Sequence, residues 1–566
     1  FEVESIDDIS LNFKGVVLGK VISTKKHNNS DKLTTCIVDI GNNKLQIICG
    51  AKNIRSNIYV YVATIGTYLP HLKLSIKASE IRGVYSEGMI CSLEELGLED
   101  KSKGIAILEE SICNRFDLGT PISDLLELND YIYDLAITAN RPDGMSMIGI
   151  AREISALLQT KIYFPEIIDN LQEKKFNPKI VNTNAINKES IYTISSINCV
   201  SGMITSPKWL KDRLEKSEIN PINLIVDITN YILLEQGQPL HAFDREKLSA
   251  LVNKDVTPND FGIRQGNDGE QIIALDGNTY KLNNNITVIT CMDKPIAIAG
   301  VIGGMETSVT ESTTSIYLEA AVFSPSSVRK SSKEIGIRTE SSTRFEKGIS
   351  NKNTVASVKR AIKLFSDFYK LKDNIIYISQ DINDESQLIK LRRKRIHSIL
   401  GKVIEKSTKN NQEINLKRDL YDFEITEKLK LIGCSLTDKD YGWDVSVLAN
   451  RSQDLIREID LIEEIARLIG YDLFDQNIPY PLSPGGLTNN QSSTRNIRNN
   501  FINSGFNEVL TYSLVSNDDI ERIKISNPLL SETSCLRNNL WQEHIKIVNK
   551  NIKSGIDNCW IFELGK

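Results

Sequence analysis

Short apolar runs dominate roughly the first hundred positions of the chain. They are rich in β-branched residues and are separated by Gly, Asn and Ser, as in GVVLGKVIST, LTTCIVDIG, LQIICGA and IYVYVATIG. Runs of this length and composition, bounded by turn residues, are typical of β-strands. About five such strands in about 90 residues predict a small closed barrel of the OB type, an architecture whose open face commonly binds nucleic acid.

Patterns with helical period appear further along the chain. Apolar residues recur at helical spacing from Ile148 to Leu158, after the segment Asn140-Arg141-Pro142-Asp143. This segment predicts a turn, because proline disfavours helix in the residue before it. From about residue 191 to 380 the chain mixes strand-like and helical patterns, and a smaller mixed domain is predicted to begin at Lys390. The segments DINDESQ and IPYPLSPGGLTNNQSST predict linkers.

An acidic cluster lies on a second predicted helix, in NRSQDLIREIDLIEEIARLIGYD. At about 100° per residue, one arc of this helix carries Asp460, Glu463 and Glu464. The opposite side carries the apolar residues Leu455, Ile459, Ile462, Ile465 and Ile469. Asp454 lies off the acidic arc, near the predicted helix start, where a carboxylate caps well. Such clustered oxygens can bind Mg²⁺; the alternative is a solvated acidic face paired internally, for instance Glu463 with Arg467.

Composition narrows the class of protein without identifying it. The chain has 566 residues, of which 40% are hydrophobic and 25% are charged, as in ordinary globular proteins. No apolar run approaches the roughly 18 residues that a membrane-spanning helix needs. The nine cysteines are spread along the chain without a CxxC pair. This spacing argues against a disulfide framework and a zinc site, and it predicts a reducing cytoplasm.

The charge distribution is more informative than the net charge of −5. Between Phe13 and Gly83 there are eleven Lys or Arg residues and three Asp or Glu residues, a local excess of +8. A basic module on a mildly acidic chain is typical of an appendage that binds polyanions. The alternative is a lysine-rich surface that is simply solvated.

The middle of the chain holds the remaining candidate chemistry. His241 lies in Gln-Pro-Leu-His-Ala-Phe, which predicts a turn, and Glu319 is flanked by apolar residues in a predicted strand. Gly300, Gly303 and Gly304 allow close approach of the backbone to a ligand. The glycine segment is neither a phosphate-binding loop nor a dinucleotide fingerprint. Taken separately, each of these residues has an ordinary structural explanation.

Taken together and in order, these strings resemble a known family. INLIVDITNYILLEQGQPLHAFD, AIAGVIGGMETSV and IYLEAAVFSPSSVRKSSKEIGIRTESSTRFEKGI resemble the editing domain of the bacterial phenylalanyl-tRNA synthetase beta-subunit family. HNNSDKL, IICGAKNI and IRGVYSEGMICS resemble the tRNA-binding OB domain found in several synthetases. The resemblance runs from this module to the last residue, and it implies a chain incomplete at both ends.

The resemblance implies a multidomain α+β architecture. Its expected parts are the remnant of an N-terminal domain (1–12), an OB-type tRNA-binding domain (13–118), the second part of the N-terminal α+β domain (128–165), a mixed α/β editing domain of the B3/B4 type (188–382), a small α+β B5 domain (388–475) and the start of a degenerate class II synthetase core (490–566).

The resemblance also assigns site residues. His241 and Glu319 match residues of the family's editing pocket, and Gly303, Thr339 and Ser341 match its walls. Some family members have Ala at the position of Ser341, which leaves the detailed shape of the pocket open. The acidic residues that match the family's magnesium site, at the contact with the alpha subunit, are Asp454, Asp460, Glu463 and Glu464.

The function implied is that of a beta subunit of phenylalanine–tRNA ligase, a class II synthetase. It would support the ATP-dependent charging of tRNA(Phe) by the alpha subunit, in a heterotetramer of two alpha and two beta subunits. The beta chain itself would bind neither ATP nor a membrane. It would also bind tRNA and hydrolyse mischarged Tyr-tRNA(Phe). One alternative is a tRNA-binding or structural subunit of the same complex without editing activity. A second is an unrelated Mg²⁺-dependent hydrolase that uses the 454–464 carboxylates.

Overall fold

The computed structural model of the chain describes residues 1–99, 101–181, 190–199, 205–379, 388–409, 412–476, 485–518 and 521–565. The predicted linker DINDESQ lies outside the described residues, as does part of the second predicted linker. The chain divides into two units, Phe1–Asp475 and Gln476–Lys566. None of the helices in the described part combines the length and hydropathy required of a membrane span.

The first 165 residues consist mainly of short strands. The strands are β1 (Glu2–Asp8), β2 (Val16–Lys26), β3 (Thr34–Asp39), β4 (Lys44–Cys49), β5 (Ile58–Thr64), β6 (Tyr68–Leu69), β7 (Leu74–Ser75), β8 (Ser79–Ile81), β9 (Val84–Ser86), β10 (Gly88–Cys91), β11 (Ile107–Leu108) and β12 (Tyr131–Ala136). The helices are α1 (Glu110–Cys113), α2 (Ile122–Leu125) and α3 (Met147–Leu158). Helix α3 confirms the helix predicted at this position, and a 3-10 turn at Pro142–Met145 precedes it.

One sheet of this region has the order β10–β5–β2–β3–β4, with β11 beside β5. The two ends of this order, β10 and β4, approach each other. The Glu87 N–H, directly before β10, donates a hydrogen bond of 2.8 Å to the carbonyl of Gln46 in β4. Alternate residues of β5 pack into different apolar clusters, with Val60 and Val62 in one and Tyr61 in the other. Both faces of this strand are therefore buried. Separately, β1 pairs with β12 in antiparallel orientation.

The next region holds most of the apolar core. Its strands are β13 (Gln172–Lys175), β14 (Lys179–Val181), β15 (Tyr192–Cys199), β16 (Leu240–Asp244), β17 (Phe261–Gln265), β18 (Gln271–Ile273), β19 (Thr279–Lys281), β20 (Thr287–Cys291), β21 (Lys294–Ile298), β22 (Ile302–Gly303), β23 (Ser315–Ala321) and β24 (Leu371–Ile378). Its helices are α4 (Lys208–Glu215), α5 (Leu224–Gln236), α6 (Arg245–Val252), α7 (Pro325–Ile335), α8 (Glu340–Lys347) and α9 (Asn351–Phe368).

Two sheets organise this region. One has the order β13–β24–β15–β23–β16, and the other has the order β14–β17–β20–β21–β22. Ile228 and Ile232 of α5, Ile362 and Phe365 of α9 and strand β23 belong to one continuous buried cluster. Because burial of apolar surface is the main driving force of folding, this shared core fixes β23 and its neighbours firmly.

The next strands and helices lie between residues 388 and 475, where the smaller mixed domain was predicted. Its strands are β25 (Leu388–Arg392), β26 (Val403–Lys409), β27 (Gln412–Arg418), β28 (Ser435–Lys439) and β29 (Gly442–Ser446). Its helices are α10 (Arg393–Leu400), α11 (Asp422–Leu431) and α12 (Glu458–Ile469). The sheet order is β25–β29–β28, and Trp443 is buried on β29. Helix α12 begins later than the apolar pattern predicts, since Leu455 is buried but precedes it.

The second unit contains β30 (Asn507–Glu508), β31 (Leu514–Val515), β32 (Cys535–Leu536), β33 (Ile561–Phe562), α13 (Asn489–Asn503) and α14 (Trp541–Lys553). Along the chain, β32 is followed by α14. The linker prediction is wrong from Asn489 onward, where α13 begins. Thr488 and Gln491 form a capping box at its start, a helix signal within an otherwise loop-like composition.

Candidate active site

His241 and Glu319 lie directly opposite each other on neighbouring antiparallel strands, β16 and β23. The prediction that His241 lies in a turn is therefore wrong. Helix α5 ends at Gly237, whose φ of 74° is the left-handed conformation that glycine adopts without strain. The Gln238 side chain then donates to the Ala321 carbonyl at 3.0 Å, which holds the chain beside β23. Pro239 directly precedes the strand, where its missing N–H costs nothing.

A small cavity of about 70 Å³ lies beside this pair. Its lining includes His241 and Glu319 from the two strands, Gly303 from β22, and Ser341 and Phe345 from α8. These residues come from four separate elements of one folded core. The structure therefore brings together four of the five residues predicted for the pocket.

Gly303 is needed because the imidazole ring lies against its backbone. A Cβ added at this position would come within 2.3 Å of His241 Cε1 and 2.6 Å of Nε2. Contacts below about 3.0 Å essentially never occur for real Cβ atoms. Any larger residue at position 303 would therefore displace the His241 ring.

Burial makes both polar groups of the pair neutral near pH 7. Glu319 is 5% exposed, and burial raises the pKa of its carboxyl group to about 8. Burial lowers the pKa of the His241 imidazole to about 4. The His241 Nε2 atom is buried and has no hydrogen-bond partner in the part of the chain that the structure describes. Because a buried polar atom is usually partnered, this nitrogen is free for a water or a substrate group.

Thr339 acts on the cavity through the backbone rather than by lining it. Its side chain accepts a hydrogen bond from the Ser342 N–H at 3.0 Å and so caps α8. Its hydroxyl donates to the carbonyl of Val301, a cavity residue, at 2.9 Å. Thr339 therefore joins the start of α8 to the glycine-containing segment and positions Ser341 two residues later.

The acidic residues of the 454–464 segment are engaged by arginines. Asp460 accepts hydrogen bonds from the backbone N–H groups of Ile456 and Arg457, at 3.1 Å and 2.7 Å. It also forms an ion pair with the Arg457 side chain. Asp460 therefore caps α12, and the prediction that Asp454 does so is wrong. Asp454 instead pairs with Arg451 at 2.7 Å. Burial raises the pKa of Asp454, while the Arg451 hydrogen bond opposes this shift.

The last two acidic residues differ strongly in environment. Glu464 is buried and pairs with Arg451 at 3.2 Å and Arg467 at 2.8 Å. Burial alone would raise the pKa of Glu464, but these arginines lower it to about 2. Glu463 is exposed. The predicted pairing of Arg467 with Glu463 is wrong, because Arg467 turns to Glu464 and to Glu153.

In the described part of the chain, arginines pair with three of these four carboxylates. Across the described residues, no group of three or more His, Cys, Asp or Glu side chains is arranged to hold a metal ion. A divalent cation at Asp454 and Glu464 would first have to displace Arg451, since two positive charges at one carboxylate repel each other.

Family comparisons identify four parts of the chain. Residues 16–114 match a putative tRNA-binding domain, and residues 189–370 match the B3/4 domain. Residues 389–471 match the tRNA synthetase B5 domain, and residues 478–566 match the CLM domain of the phenylalanyl-tRNA synthetase beta chain.

Curated relatives extend this match over the whole chain. The phenylalanine–tRNA ligase beta subunit of Prochlorococcus marinus strain MIT 9312 is 61% identical over 571 residues, which is 100% of this chain and 69% of the relative. The beta subunit of Synechococcus sp. strain CC9902 is 45% identical over 100% of this chain and 68% of its own length. The chain belongs to the phenylalanine–tRNA ligase beta subunit family. The resemblance to this family, read from the sequence motifs, is thereby confirmed.

Membership of the beta-subunit family places the chain among the aminoacyl-tRNA synthetases of protein biosynthesis, as a multidomain α+β protein with a tRNA-binding domain. The family's name implies an alpha partner and tRNA. Among solved structures, an N-terminal fragment of the phenylalanyl-tRNA synthetase beta subunit from Pyrococcus horikoshii is similar to this chain. The match covers 60% of this chain and 87% of the fragment, with 13% sequence identity and a TM-score of 0.33.

One group of interacting residues in this beta-subunit chain was not predicted from the sequence. Arg141 pairs with Asp143 at 2.9 Å and with Glu153 at 3.0 Å. Glu153 also pairs with Arg467, which extends the interactions to Glu464 on α12. The network joins residues more than 300 positions apart. Arg451, a basic residue shortly before Asp454, was the local sign that the acidic segment is paired within the chain.

Proposed function

We propose that this chain hydrolyses Tyr-tRNA(Phe) at the cavity between β16, β23 and α8. The observation that carries the proposal is the cross-strand pairing of His241 with Glu319 beside a small cavity, where the buried His241 Nε2 has no hydrogen-bond partner among the described residues. Gly303 leaves room for the imidazole ring, Ser341 lines the cavity, and Thr339 holds the start of α8 against Val301. The B3/4 match over residues 189–370 is compatible with this role.

The need for such a site follows from the chemistry of the two amino acids. A hydrophobic site for phenylalanine rejects an analogue that merely adds a hydroxyl by only about a hundredfold. A second site that hydrogen-bonds the added hydroxyl selects the error and excludes the correct product.

Glu319 suits this selection in its protonated form. With a pKa of about 8, its carboxyl group is mostly neutral at pH 7. A neutral carboxyl group accepts a hydrogen bond at its carbonyl oxygen and donates one from its hydroxyl. Both match a phenol, which is a donor and an acceptor. Phenylalanine offers neither, so its entry would leave a buried polar group unpaired, at a cost of about 1–3 kcal/mol.

His241 suits the orientation of water rather than the removal of its proton. A pKa of about 4 makes the ring neutral and weakly basic at pH 7. Its Nε2 can hold a water or the ester by one hydrogen bond. In the reaction, the water oxygen forms a bond to the ester carbonyl carbon and the bond to the ribose oxygen breaks. The water's proton passes to that ribose oxygen, which releases tyrosine and tRNA.

The wider role we propose is that of one subunit in a heterotetramer of two alpha and two beta subunits in the cytoplasm. In this assembly the alpha subunit binds ATP, activates phenylalanine and charges tRNA(Phe). The beta chain contributes proofreading, an OB-type domain over residues 13–118 whose basic surface contacts tRNA, and a class II-like domain over residues 490–566. The local excess of +8 between Phe13 and Gly83 supports the tRNA contact, because phosphate contacts depend on Lys and Arg.

A magnesium ion at Asp454, Asp460, Glu463 and Glu464 stays a prediction. In this chain the arrangement does not fit one, because arginines already neutralise Asp454, Asp460 and Glu464. No step of the proposed reaction depends on this ion.

The test is the hydrolysis of Tyr-tRNA(Phe) by the full-length chain in complex with its alpha partner. We expect His241→Ala to slow hydrolysis by about a hundredfold, because the attacking water is no longer positioned. Glu319→Ala should slow it by about fivefold to a hundredfold, the loss expected for a hydrogen bond to the phenol worth about 1–3 kcal/mol. Charging with phenylalanine should be unchanged. Glu311→Ala, which removes an exposed carboxylate shortly before β23, serves as the matched control. Wild-type hydrolysis no faster than in buffer would favour the alternative of a tRNA-binding subunit without editing activity.

A further inference from the structure

A second cavity, of about 240 Å³, lies where four segments of the first unit meet. Its lining comes from the segment 142–167, from the end of α5, from residues 344–356 and from residues 450–453. The cavity is separate from the His241 site, since none of its lining residues lines both spaces. One water needs only about 10–15 Å³, so there is room here for a larger group.

Arg152 brings a positive charge to this cavity. The side chain is partly buried, and its guanidinium lies over the Phe164 ring, 5.4 Å from the centroid. No ion pair of Arg152 occurs among the residues that the structure describes. The nearest carboxylate of the lining, Asp143, accepts two hydrogen bonds of 2.9 Å from Arg141 and is thereby neutralised. Burial lowers the pKa of Arg152, and the Asp143 carboxylate opposes this shift only in part.

Arg344 adds a second guanidinium to the lining, and its side chain is only 7% exposed. Its Nη1 donates to the carbonyl and the carboxylate of Glu340, at 3.1 Å and 2.6 Å. Its Nε–H is buried and has no hydrogen-bond partner among the described residues. A buried donor left unpaired costs about 1–3 kcal/mol, which a bound acceptor would recover.

Ser350 is a third donor with the same property. It precedes α9 as its N-cap residue, but its side chain makes no capping hydrogen bond. Its Oγ is buried and without a partner in the described part of the chain, and Ser350 lines the cavity. Asn353, in the first turn of this 18-residue helix, lines it as well. A helix N-terminus carries about half a positive charge and favours phosphate groups.

We propose that this cavity binds a phosphate group, held by Arg152 and Arg344, by the Ser350 hydroxyl and by the N-terminus of α9. Two guanidinium groups and a hydroxyl, beside the positive end of the α9 dipole, match a tetrahedral oxyanion with several acceptor oxygens. The phosphate can belong to a free nucleotide or to the backbone of tRNA. The Phe164 ring, 55% exposed at this site, offers a surface on which a base can stack in either case. The proposal does not depend on editing.

The test is a calorimetric titration of inorganic phosphate into the full-length chain in complex with its alpha partner. We expect binding that Arg152→Gln weakens by about tenfold or more, the usual effect of losing a charged hydrogen bond. Ser350→Ala should weaken it severalfold while leaving the charge unchanged. Arg329→Gln, which removes an exposed charge on α7 outside the cavity lining, should bind as the wild type does.

Two further titrations distinguish the sources of the phosphate. A free nucleotide is indicated if AMP binds more tightly than phosphate and Arg152→Gln removes the gain. A tRNA phosphate is indicated if Arg152→Gln weakens tRNA(Phe) binding and makes its salt dependence shallower. The proposal is overturned if the wild-type complex binds no phosphate at millimolar concentration. It is equally overturned if Arg152→Gln and Ser350→Ala, both with wild-type melting temperatures, bind phosphate as the wild type does.

Discussion

Replacing Glu319 by Gln tests whether the buried carboxyl group is neutral in the folded chain. Its pKa rises from an ordinary value of 4.5 to about 8 in the fold. Between these values the unfolded chain has released the proton while the folded chain retains it. The folded state of the wild type therefore loses stability as the pH rises through this window. The Gln variant has no such proton and is free of this dependence.

The size of the effect follows from the pKa difference. Each pKa unit corresponds to about 1.36 kcal/mol. From pH 5 to pH 7, both inside the window, the wild type should lose about 3 kcal/mol relative to Glu319→Gln. For a domain of 150–250 residues, 1 kcal/mol shifts the melting temperature by about 2–4 °C. The advantage of the variant should thus grow by about 6–12 °C between the two pH values.

The assay is differential scanning calorimetry of wild type and Glu319→Gln at pH 5, 6 and 7, following the transition that the substitution shifts. Glu311→Gln, an exposed carboxylate replaced in the same way, should differ from wild type by a constant amount. The reasoning is refuted if the difference between Glu319→Gln and wild type is also constant over this range. Glu319 would then be ionised in the fold much as it is in the unfolded chain.

Three further predictions concern the cavity and the ion pairs. Gly303→Ala should slow hydrolysis of Tyr-tRNA(Phe) at least tenfold, because its Cβ would displace the His241 ring, while phenylalanine charging measured in the same preparation stays normal. Arg451→Met should destabilise the first unit by about 3–5 kcal/mol, because the buried carboxylates of Asp454 and Glu464 each lose an ion-pair partner. A melting temperature equal to that of the wild type would contradict this. Titrating Mg²⁺ into the chain without its alpha partner should not raise its melting temperature, because arginines already pair with Asp454 and Glu464. A rise that a chelator abolishes would contradict this.

The sequence predicted individual elements of the candidate site better than their pairing. The glycines and the strand around Glu319 were evident locally, but the register that places it opposite His241 depends on strands almost 80 residues apart. The strand also lacks an alternating pattern, because six of its seven residues are buried. Sheets covered on both faces lose the polar positions that reveal which side chains share a face. Pro239 suggested a turn, although proline is also tolerated at the start of a strand.

The acidic segment shows a different limit. Its helical period was correctly predicted, and Asp460, Glu463 and Glu464 do lie on α12. The spacing of residues within the segment could not predict the ion-pair network around α12, because Glu153 and Arg141 come from a distant part of the chain. Burial changes the role of such residues, since a buried carboxyl group is either paired or, like Glu319, neutral. An acidic arc on a helix therefore predicts charge, while only the tertiary structure decides between a cation site and a salt-bridge network.

The most direct test of proofreading by this chain is the ratio of hydrolysis rates for Tyr-tRNA(Phe) and Phe-tRNA(Phe), in wild type and in Glu319→Leu, each in complex with the alpha partner. Leucine is apolar and of roughly similar size, so it removes the hydrogen bond to the phenol with little change in volume. We predict a wild-type ratio of at least about a hundred that falls towards one in Glu319→Leu. A ratio that is the same in both proteins would contradict the claim that Glu319 selects tyrosine at this site.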